Sequence, residues 1–242
     1  MIFRQWSALR RLRQIRHRYY SDYLQKPFLR HLDRSAIDVV FEIGAWDGSD
    51  ALALRDYFEA DVTTFECNPD SLQACRRRLR GQHSVRLVET AVWDQSGPIQ
   101  FFPVTRSTTP AGEPTTDHLG SDWVNSGASS CFRARDDYLQ RYEQDEILVP
   151  ALRLDDYCRE NGIDAIDLLC VDVQGAALQV LRSLGKYTRQ VRNLIIELEH
   201  RPLYHGQSLF PECDDFLVRN GFKQTSRVWR DDWFSDYLYT GS

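Results

Sequence analysis

The sequence predicts an α/β fold in which helices cover both faces of a mostly parallel sheet. From Ile37 onward, short apolar runs alternate with stretches of helical periodicity, and this alternation is typical of βαβ units. The last two apolar runs, Phe222–Trp229 and Trp233–Tyr239, flank a short polar turn. They predict an antiparallel hairpin at the end of the chain.

Each predicted element follows from its local pattern. Strands are expected where about four to eight apolar or β-branched residues stand between turn residues. Helices are expected where apolar residues recur every three or four positions, and Asn68, Pro69 and Asp70 form a helix start signal. The predicted strands are Ile37–Ile43, Asp61–Cys67, Val85–Val92, Ile99–Val104, Ile147–Arg153, Ile166–Val173 and Val191–Glu199, and the predicted helices span 49–58, 69–80, 155–160, 176–184 and 209–219.

The composition is that of a globular chain large enough for one α/β domain. Of the 242 residues, 42% are hydrophobic and 27% are charged, which excludes a disordered or fibrous protein. Six arginines and no acidic residue lie among the first twenty positions, so the rest carries 24 basic and 35 acidic residues, a net charge of −11. This acidic body disfavours nucleic acid as a partner. The sequence shows neither a transmembrane run nor a secretory signal, and we expect a cytoplasmic protein.

The arginine-rich N-terminus is predicted to form a helix over residues 2–32, with an apolar stripe opposite the arginines. Two interpretations remain open. The helix either makes weak contact with an anionic membrane surface or a partner, or packs its apolar stripe on the domain, and we favour packing. In both cases residues 1–36 form an N-terminal helical extension, and residues 37–242 form the main domain.

The main domain is predicted to contain an insertion over residues 98–153. Residues 105–130 within it are rich in Ser, Thr, Gly and Pro and predict a long loop. A loop of this length in a compact domain is usually a lid or a binding loop.

The first predicted strand leads into a glycine turn at Gly44. In a doubly wound sheet, such a turn marks the place where a nucleotide-like ligand binds. The second strand ends near Glu66, 22 positions after Gly44. An acidic residue at this tip can accept hydrogen bonds from both ribose hydroxyls, so the two features together predict a cofactor that contains adenosine.

The charges around the turn indicate which cofactor binds. A pyrophosphate needs a glycine-rich turn whose backbone can approach the phosphates closely. This turn instead contains bulky Trp46 and negatively charged Asp47. Glu42 and Asp47 suit the ammonium and sulfonium groups of S-adenosylmethionine better than they suit NAD. In the alternative interpretation, Glu42 is a strand-end acid and Asp47 a helix N-cap.

Several motifs resemble those of the FkbM-type methyltransferases. They are EIGAWDG at residues 42–48, FECNP at 65–69, LDD at 154–156, IDLLCVDVQGA at 166–176 and LIIE at 194–197. The resemblance keeps the motif order over residues 37–224. It implies a class I, Rossmann-like methyltransferase fold with a mostly parallel seven-stranded sheet. It also implies that S-adenosylmethionine is the cofactor and that the methyl group goes to a hydroxyl oxygen of a small-molecule or glycan acceptor.

The resemblance and the charge argument together imply a set of cofactor-binding residues. These are Glu42, Gly44, Ala45, Asp47, Gly48, Glu66, Cys67, Asn68, Ala91, Val92 and Asp172. Within this set, Glu66 matches the ribose acid, and Ala91 and Val92 match the turn beside the adenine. Asp172 matches the acid beside the methyl donor.

The catalytic candidate is Asp172. Methyl transfer to a hydroxyl requires a positioned acceptor and a base that takes the hydroxyl proton. In the alternative interpretation, Asp172 is a structural hydrogen-bond acceptor for the cofactor or a neighbouring loop.

The acceptor is expected to contact residues near this acid and at the end of the long loop. Glu197 and Glu199 lie on one face of their strand and, with His200, could line the acceptor pocket or hold a divalent ion; we predict no metal site. Ser129 and Ser130 resemble a serine-rich stretch of the family. The predicted acceptor residues are Ser129, Ser130, Gln174, Glu197 and His200.

Three positions depart from the family pattern and keep other functions open. Trp46 stands where Asn is usual, Cys170 where Lys is frequent, and Ala177 where Glu is common. The last two departures motivate the alternative of a non-catalytic cofactor-binding or scaffold protein of the same fold. An NAD-binding Rossmann protein is a further alternative. An RNA or protein N-methyltransferase is disfavoured by the acidic body and by the lack of an Asn-Pro-Pro-Tyr-like motif.

Overall fold

The secondary structure is known from a computed structural model that describes residues 21–115, 124–138 and 140–241. In chain order, the strands are β1 (Val39–Ile43), β2 (Asp61–Glu66), β3 (Val85–Glu89), β4 (Ala91–Val92), β5 (Gly97–Phe101), β6 (Val104–Thr108), β7 (Arg141–Gln144), β8 (Ile147–Leu152), β9 (Ile166–Val171), β10 (Val191–Glu199), β11 (Phe222–Trp229) and β12 (Phe234–Gly241). The α-helices are α1 (Lys26–Leu29), α2 (Ser49–Phe58), α3 (Pro69–Arg78), α4 (Leu154–Asn161), α5 (Ala177–Ser183) and α6 (Phe210–Arg219).

The main sheet has seven strands in the order β11-β12-β10-β9-β1-β2-β3. Strand β12 runs antiparallel to both of its neighbours, and the other pairs are parallel. The predicted mostly parallel seven-stranded sheet with a C-terminal antiparallel hairpin is confirmed. The chain runs outward from β1 to β3 and then returns to β9 on the other side of β1. The carboxyl ends of β1 and β9 therefore flank the crevice where such sheets bind ligands.

Helices bury both faces of this sheet. Apolar side chains of α4, α5 and α6 pack on one face, and those of α1, α2 and α3 pack on the other. All six residues of β9 are buried. A strand covered on both faces is expected to be an almost continuous apolar run, which is why β9 was predictable from sequence.

The segment that precedes β1 packs on the core. Tyr23, Leu24, Phe28 and Leu32 are buried in the same cluster as α2. The prediction of one helix over residues 2–32 is wrong within the described residues, because only α1 is helical there. Pro27 lies in the first turn of α1, and a longer helix would lose a backbone hydrogen bond at that proline. Residues 1–20 lie outside the described residues.

Two predicted strands are each divided in the structure. The run 85–92 turns at Thr90, so that β4 leaves the main sheet and pairs with β8 in a smaller sheet of order β4-β8-β5. The run 99–104 is interrupted at Pro103, which has no N–H to donate. The chain therefore forms β5 and then β6, and β6 pairs with β7, which was not predicted. Residues 116–123 of the predicted loop lie outside the described ranges.

The described helices show no membrane-spanning element: none of them has the length and apolar composition needed to cross a bilayer.

Candidate active site

A cavity of about 720 Å³ lies at the carboxyl ends of β1, β2, β9 and β10. This is the crevice where the strand order of the main sheet reverses. Among the described residues, six acidic side chains and one basic side chain, Arg78, line the cavity. The acidic residues are Asp22, Asp47, Asp50, Glu66, Asp172 and Glu197.

The turn after β1 requires glycine at position 44. Gly44 has φ +92°, and a Cβ atom there would lie 1.8 Å from the backbone oxygen of Asp172. Gly44 and Ala45 each donate a backbone hydrogen bond of 3.0 Å to the carbonyl oxygen of Phe65, which draws the turn towards β2. Gly48 lies between the lining residues Asp47 and Ser49 but off the wall, and its predicted contact with the cofactor stays a prediction. Its left-handed conformation, with φ +77°, lets the chain enter α2.

Glu66 lies half-buried at the end of β2 and holds the cofactor turn. Its Oε2 atom accepts from the backbone N–H of Trp46 at 2.8 Å, and its Oε1 atom accepts from those of Cys67 and Asn68 at 2.7 Å each. A carboxylate offers about four acceptor positions, so one position on Oε2 remains for a ligand hydroxyl. Burial raises the pKa of Glu66 to about 7, although the three amides oppose this shift.

An apolar wall continues from Glu66 towards the insertion. It contains Cys67, Ala91, Val92, Phe101 and Cys131, so the predicted residues 67, 91 and 92 meet at one side of the cavity. Burial raises the pKa of the Cys131 thiol to about 12, and the pKa of Cys67 is also raised well above its ordinary value. Both thiols are therefore neutral at physiological pH, and this wall suits an uncharged, flat group.

Asp47 lines the cavity, but its charge is already partnered. Its Oδ1 atom accepts from the backbone N–H and the hydroxyl of Ser49, at 2.9 and 2.6 Å. Its Oδ2 atom lies 2.8 Å from Nη2 of Arg78. The N-cap of α2 is Gly48, so the alternative interpretation of Asp47 as the N-cap is wrong; Asp47 lies one residue earlier, binds Ser49 and forms part of the wall.

Glu42 is fully buried and lies off the cavity wall, and its predicted contact with the cofactor stays a prediction. Its Oε2 atom accepts a 2.5 Å hydrogen bond from the Thr64 hydroxyl, and its Oε1 atom has no hydrogen-bond partner among the described residues. Burial, with a further contribution from Asp50, raises the pKa of Glu42 well above its ordinary value and so disfavours its ionised form.

Asp22 and Asp50 line the cavity and were missed in the sequence. Burial raises the pKa of Asp50 to about 7, and the nearby Asp22 raises it further. Asp22 also forms a 2.5 Å ion pair with Arg230, whose Nε atom donates to Asp236 at 2.6 Å. No local pattern indicates Asp22, because the fold alone brings it to the ends of β9 and β10. Asp50 resembles any acidic residue in the first turn of a helix.

Asp172, Gln174 and Glu197 come together at one end of the cavity. The side-chain nitrogen of Gln174 donates to Oδ1 of Asp172 at 2.6 Å and to Oε1 of Glu197 at 3.1 Å. Burial raises the pKa of Asp172, and the hydrogen bond from Gln174 opposes this shift. Burial, and next the charge of Asp172, raise the pKa of Glu197 well above its ordinary value. Ionisation of Asp172 therefore disfavours ionisation of Glu197.

The serine-rich stretch supports the cavity from the insertion. Ser129 lines the cavity, and its hydroxyl oxygen accepts from the Asn68 side chain at 3.2 Å and from the backbone N–H of Val104 at 3.0 Å. Ser130 is buried behind the wall, and its hydroxyl donates to the carbonyl oxygen of Gln174 at 2.6 Å. The Ser130 hydroxyl therefore has a structural role here, and its predicted contact with the acceptor stays a prediction.

His200 does not lie on the cavity wall, and its predicted contact with the acceptor stays a prediction. Its ring stacks on Trp229 with centroids 5.7 Å apart, and its Nε2 atom lies 3.2 Å from the hydroxyl oxygen of Ser235. Glu199 is buried and likewise lies off the wall. Within the described ranges, no group of three or more His, Cys, Asp or Glu side chains is arranged to hold a metal ion.

Comparisons with known proteins agree with this geometry. A family model described as "Methyltransferase FkbM domain" matches residues 42–223. The 2-O-methyltransferase NoeI of Sinorhizobium fredii is 32% identical over 176 residues, and the match covers 70% of this chain and 66% of NoeI, slightly less than two thirds of its length.

A solved structure shows the same fold. The crystal structure of methyltransferase FkbM from Methylobacillus flagellatus matches with a TM-score of 0.52 at 12% identity, covering 97% of this chain and 59% of that chain. The class I methyltransferase fold is confirmed by this likeness. Because the family model spans most of the chain and the motifs lie at the ends of the predicted strands, this chain belongs to the FkbM methyltransferase family.

Proposed function

We propose that the chain is an S-adenosylmethionine-dependent O-methyltransferase that acts on a hydroxyl group of a glycan or small molecule. The observation that carries the proposal is the cavity at the strand-order reversal, where six acidic side chains face one arginine. A ligand with an ammonium and a sulfonium group suits this wall. The family match, and the similarity to a protein named as a 2-O-methyltransferase, support methyl transfer to oxygen.

The residues on the wall fit this cofactor. Glu66 retains an acceptor position for a ribose hydroxyl, and the neutral wall near Ala91 and Val92 suits the adenine. Asp22 and Asp50 would face the ammonium group, whose positive charge would favour their ionised forms. Gly44 lets the turn approach the backbone of Asp172 closely, and Ala45 and Trp46 of the same turn form part of the wall.

Asp172 would act as the base for the acceptor hydroxyl. When bound, the cofactor supplies an electrophilic methyl group on its sulfonium. Asp172 takes the hydroxyl proton on a carboxylate oxygen. A general base works best when its pKa lies near the working pH, and burial raises the pKa of Asp172 in that direction. Glu197 and Ser129 line the same cavity, where they would hold the acceptor in place.

The alternatives receive less support from the site. A dinucleotide would place its pyrophosphate in a cavity where Arg78 alone, of the described residues, offers a basic side chain. Cys170 and Ala177, which motivated the scaffold alternative, are both buried and off the wall. Their departures from the family pattern therefore leave the acidic wall intact. An acidic wall also disfavours nucleic acid as the acceptor.

Transfer of a labelled methyl group tests the proposal. The full chain would be incubated with S-adenosylmethionine labelled in the methyl group and a panel of hydroxyl-bearing glycans and small molecules. We expect label in at least one product, as a methyl ether. Asp172→Asn should lower the transfer rate by about 100-fold or more while S-adenosylhomocysteine still binds. Cofactor binding without transfer to any acceptor would favour the scaffold alternative.

A further inference from the structure

We propose that Tyr204 and Ser130 are positioning residues, which hold Gln174 so that its side-chain amide keeps the carboxyl groups of Asp172 and Glu197 together at the acceptor end of the cavity. The inference rests on the proposed function, because it assigns these two acids to the acceptor. It adds a second role to the insertion, since Ser130 belongs to it.

The side-chain nitrogen of Gln174 is fully used within the protein. An amide nitrogen carries two protons. One is donated to Oδ1 of Asp172 at 2.6 Å, and the other to Oε1 of Glu197 at 3.1 Å. No donor remains on this nitrogen for an acceptor molecule, so Gln174 acts on the two carboxyl groups rather than on the substrate.

Tyr204 anchors the oxygen end of this amide. Its ring is buried, and its hydroxyl lies 3.2 Å from Oε1 of Gln174 and 3.0 Å from the carbonyl oxygen of Ala128. Both neighbours can only accept, so the single hydroxyl proton is shared between them. The carboxyl groups of Asp172 and Glu197 set the direction of the amide, because a reversed amide would direct its oxygen at their oxygens. The Tyr204 hydroxyl then holds the opposite end of the amide in place.

The backbone around Gln174 is shaped to allow this contact. A Cβ atom on Gly175, which has φ +89°, would lie 3.1 Å from the ring of Tyr204, so glycine permits the close approach. Gln174 itself has φ +48°, a conformation that residues other than glycine seldom adopt. The Ser130 hydroxyl stabilises it by donating to the carbonyl oxygen of Gln174 at 2.6 Å, while accepting from the backbone N–H of Phe132 at 3.0 Å.

The consequence is electrostatic. Donation from the amide favours the ionised form of Asp172 and opposes the effect of burial on its pKa. If Tyr204 no longer held the amide in place, the pKa of Asp172 would rise and a smaller fraction would be ionised at neutral pH. The other titratable groups that interact with Asp172 come from every element around it: Asp22, Tyr23, Asp50, Glu66, Glu197, Glu199, Tyr204, Arg230 and Asp236.

The test compares Tyr204→Phe with the wild-type chain by two readouts. One is the pH dependence of methyl transfer, and the other is the titration of ¹³C-labelled side-chain carboxyl groups, which requires no turnover. We expect the Asp172 titration and the acidic limb of the rate profile to move to higher pH by about half a unit or more. Affinity for S-adenosylhomocysteine should stay within about twofold, since the lost hydroxyl proton bonds only to Gln174 and Ala128.

Two further variants make the result decisive. Tyr239→Phe removes another buried tyrosine hydroxyl, which donates to Asp214 at 2.7 Å, and it should shift neither readout. Gln174→Met keeps the side-chain length but removes the amide, and it should give the same Asp172 shift even if Tyr204→Phe fails to fold. An unchanged Asp172 titration in a folded Tyr204→Phe or Gln174→Met chain would overturn the inference. A shifted titration without any methyl transfer would instead count against the proposed function alone.

Discussion

Glu66 shows how one side chain both builds and serves the site. Three of its acceptor positions hold the backbone of the cofactor turn, and the fourth is open towards the cavity. We predict that Glu66→Ala weakens binding of S-adenosylhomocysteine by about 10- to 100-fold, equivalent to about 1–3 kcal/mol, because buried donors lose their partner. Calorimetric titration measures this change.

Glu89 provides the matched control for that variant. It lies opposite Glu66 in the register between β2 and β3, but it is exposed and pairs with Arg76 outside the cavity. Glu89→Ala should therefore leave the affinity unchanged. Equal affinities for the Glu66 and Glu89 variants would exclude Glu66 from the cofactor site.

The sequence predicted the site residues that stand at strand ends in a recognisable order. Gly44, Glu66, Asp172 and Glu197 belong to this group, and the fold brings them to one cavity. Sequence reasoning did not supply the directions of the side chains. Glu42 faces the protein interior although it precedes the glycine turn by only two positions.

At the scale of elements, strands covered on both faces were predicted well and edge features were not. Each strand of the central βαβ units was found within about two residues of its predicted limits. The divided runs at Thr90 and Pro103 were missed because apolar periodicity alone does not show where a chain leaves one sheet for another. Asp22 was missed because its place depends on how the segment before β1 packs.

Packing of that segment gives a prediction about truncation. A chain that begins at Ser21 retains the buried residues Leu24 and Phe28. A chain that begins at Ile37 should be markedly less stable, since each buried apolar side chain contributes about 1.5–3 kcal/mol. Thermal unfolding of the three chains measures this. Equal stability of the Ile37 and Ser21 chains would contradict the packing described here.

The same chains test the membrane interpretation of the arginine-rich residues 1–20. We expect the full chain and the Ser21 chain to co-sediment equally little with anionic vesicles. If the full chain sedimented with anionic vesicles but not with neutral ones, and the Ser21 chain sedimented with neither, these arginines would be shown to bind an anionic surface.

At the scale of the whole molecule, buried acids tie stability to pH. Burial raises the pKa of each acid in this group above its ordinary value: Glu42, Asp50, Glu66, Asp172, Glu197, Glu199 and Asp236. Between the unfolded pKa near 4 and the raised folded pKa values, which are about 7 for Asp50, Glu66 and Asp236 and about 8 for Glu199, the native state binds more protons than the unfolded state. The stabilisation that these buried acids contribute is therefore present at low pH and is lost as the pH rises through their folded pKa values.

This linkage predicts that the melting temperature of the ligand-free chain falls between pH 5.5 and 7.5. The loss of unfolding free energy over this interval is about 2 kcal/mol for each acid whose pKa stands near 7. Saturating S-adenosylmethionine should reduce the fall, because a cationic ligand favours the ionised carboxylates. Differential scanning calorimetry at several pH values measures both effects. A melting temperature that rises over this interval in the ligand-free chain would contradict the assignment of these acids.

The central claim is that the cavity at the strand-order reversal binds S-adenosylmethionine rather than a dinucleotide. Calorimetric titration of the full chain with S-adenosylhomocysteine, S-adenosylmethionine and NAD under one set of conditions tests it most directly. We predict saturable binding of the first two ligands at one site and no binding of NAD. Saturable binding of NAD, with no heat from either S-adenosyl ligand, would contradict the claim.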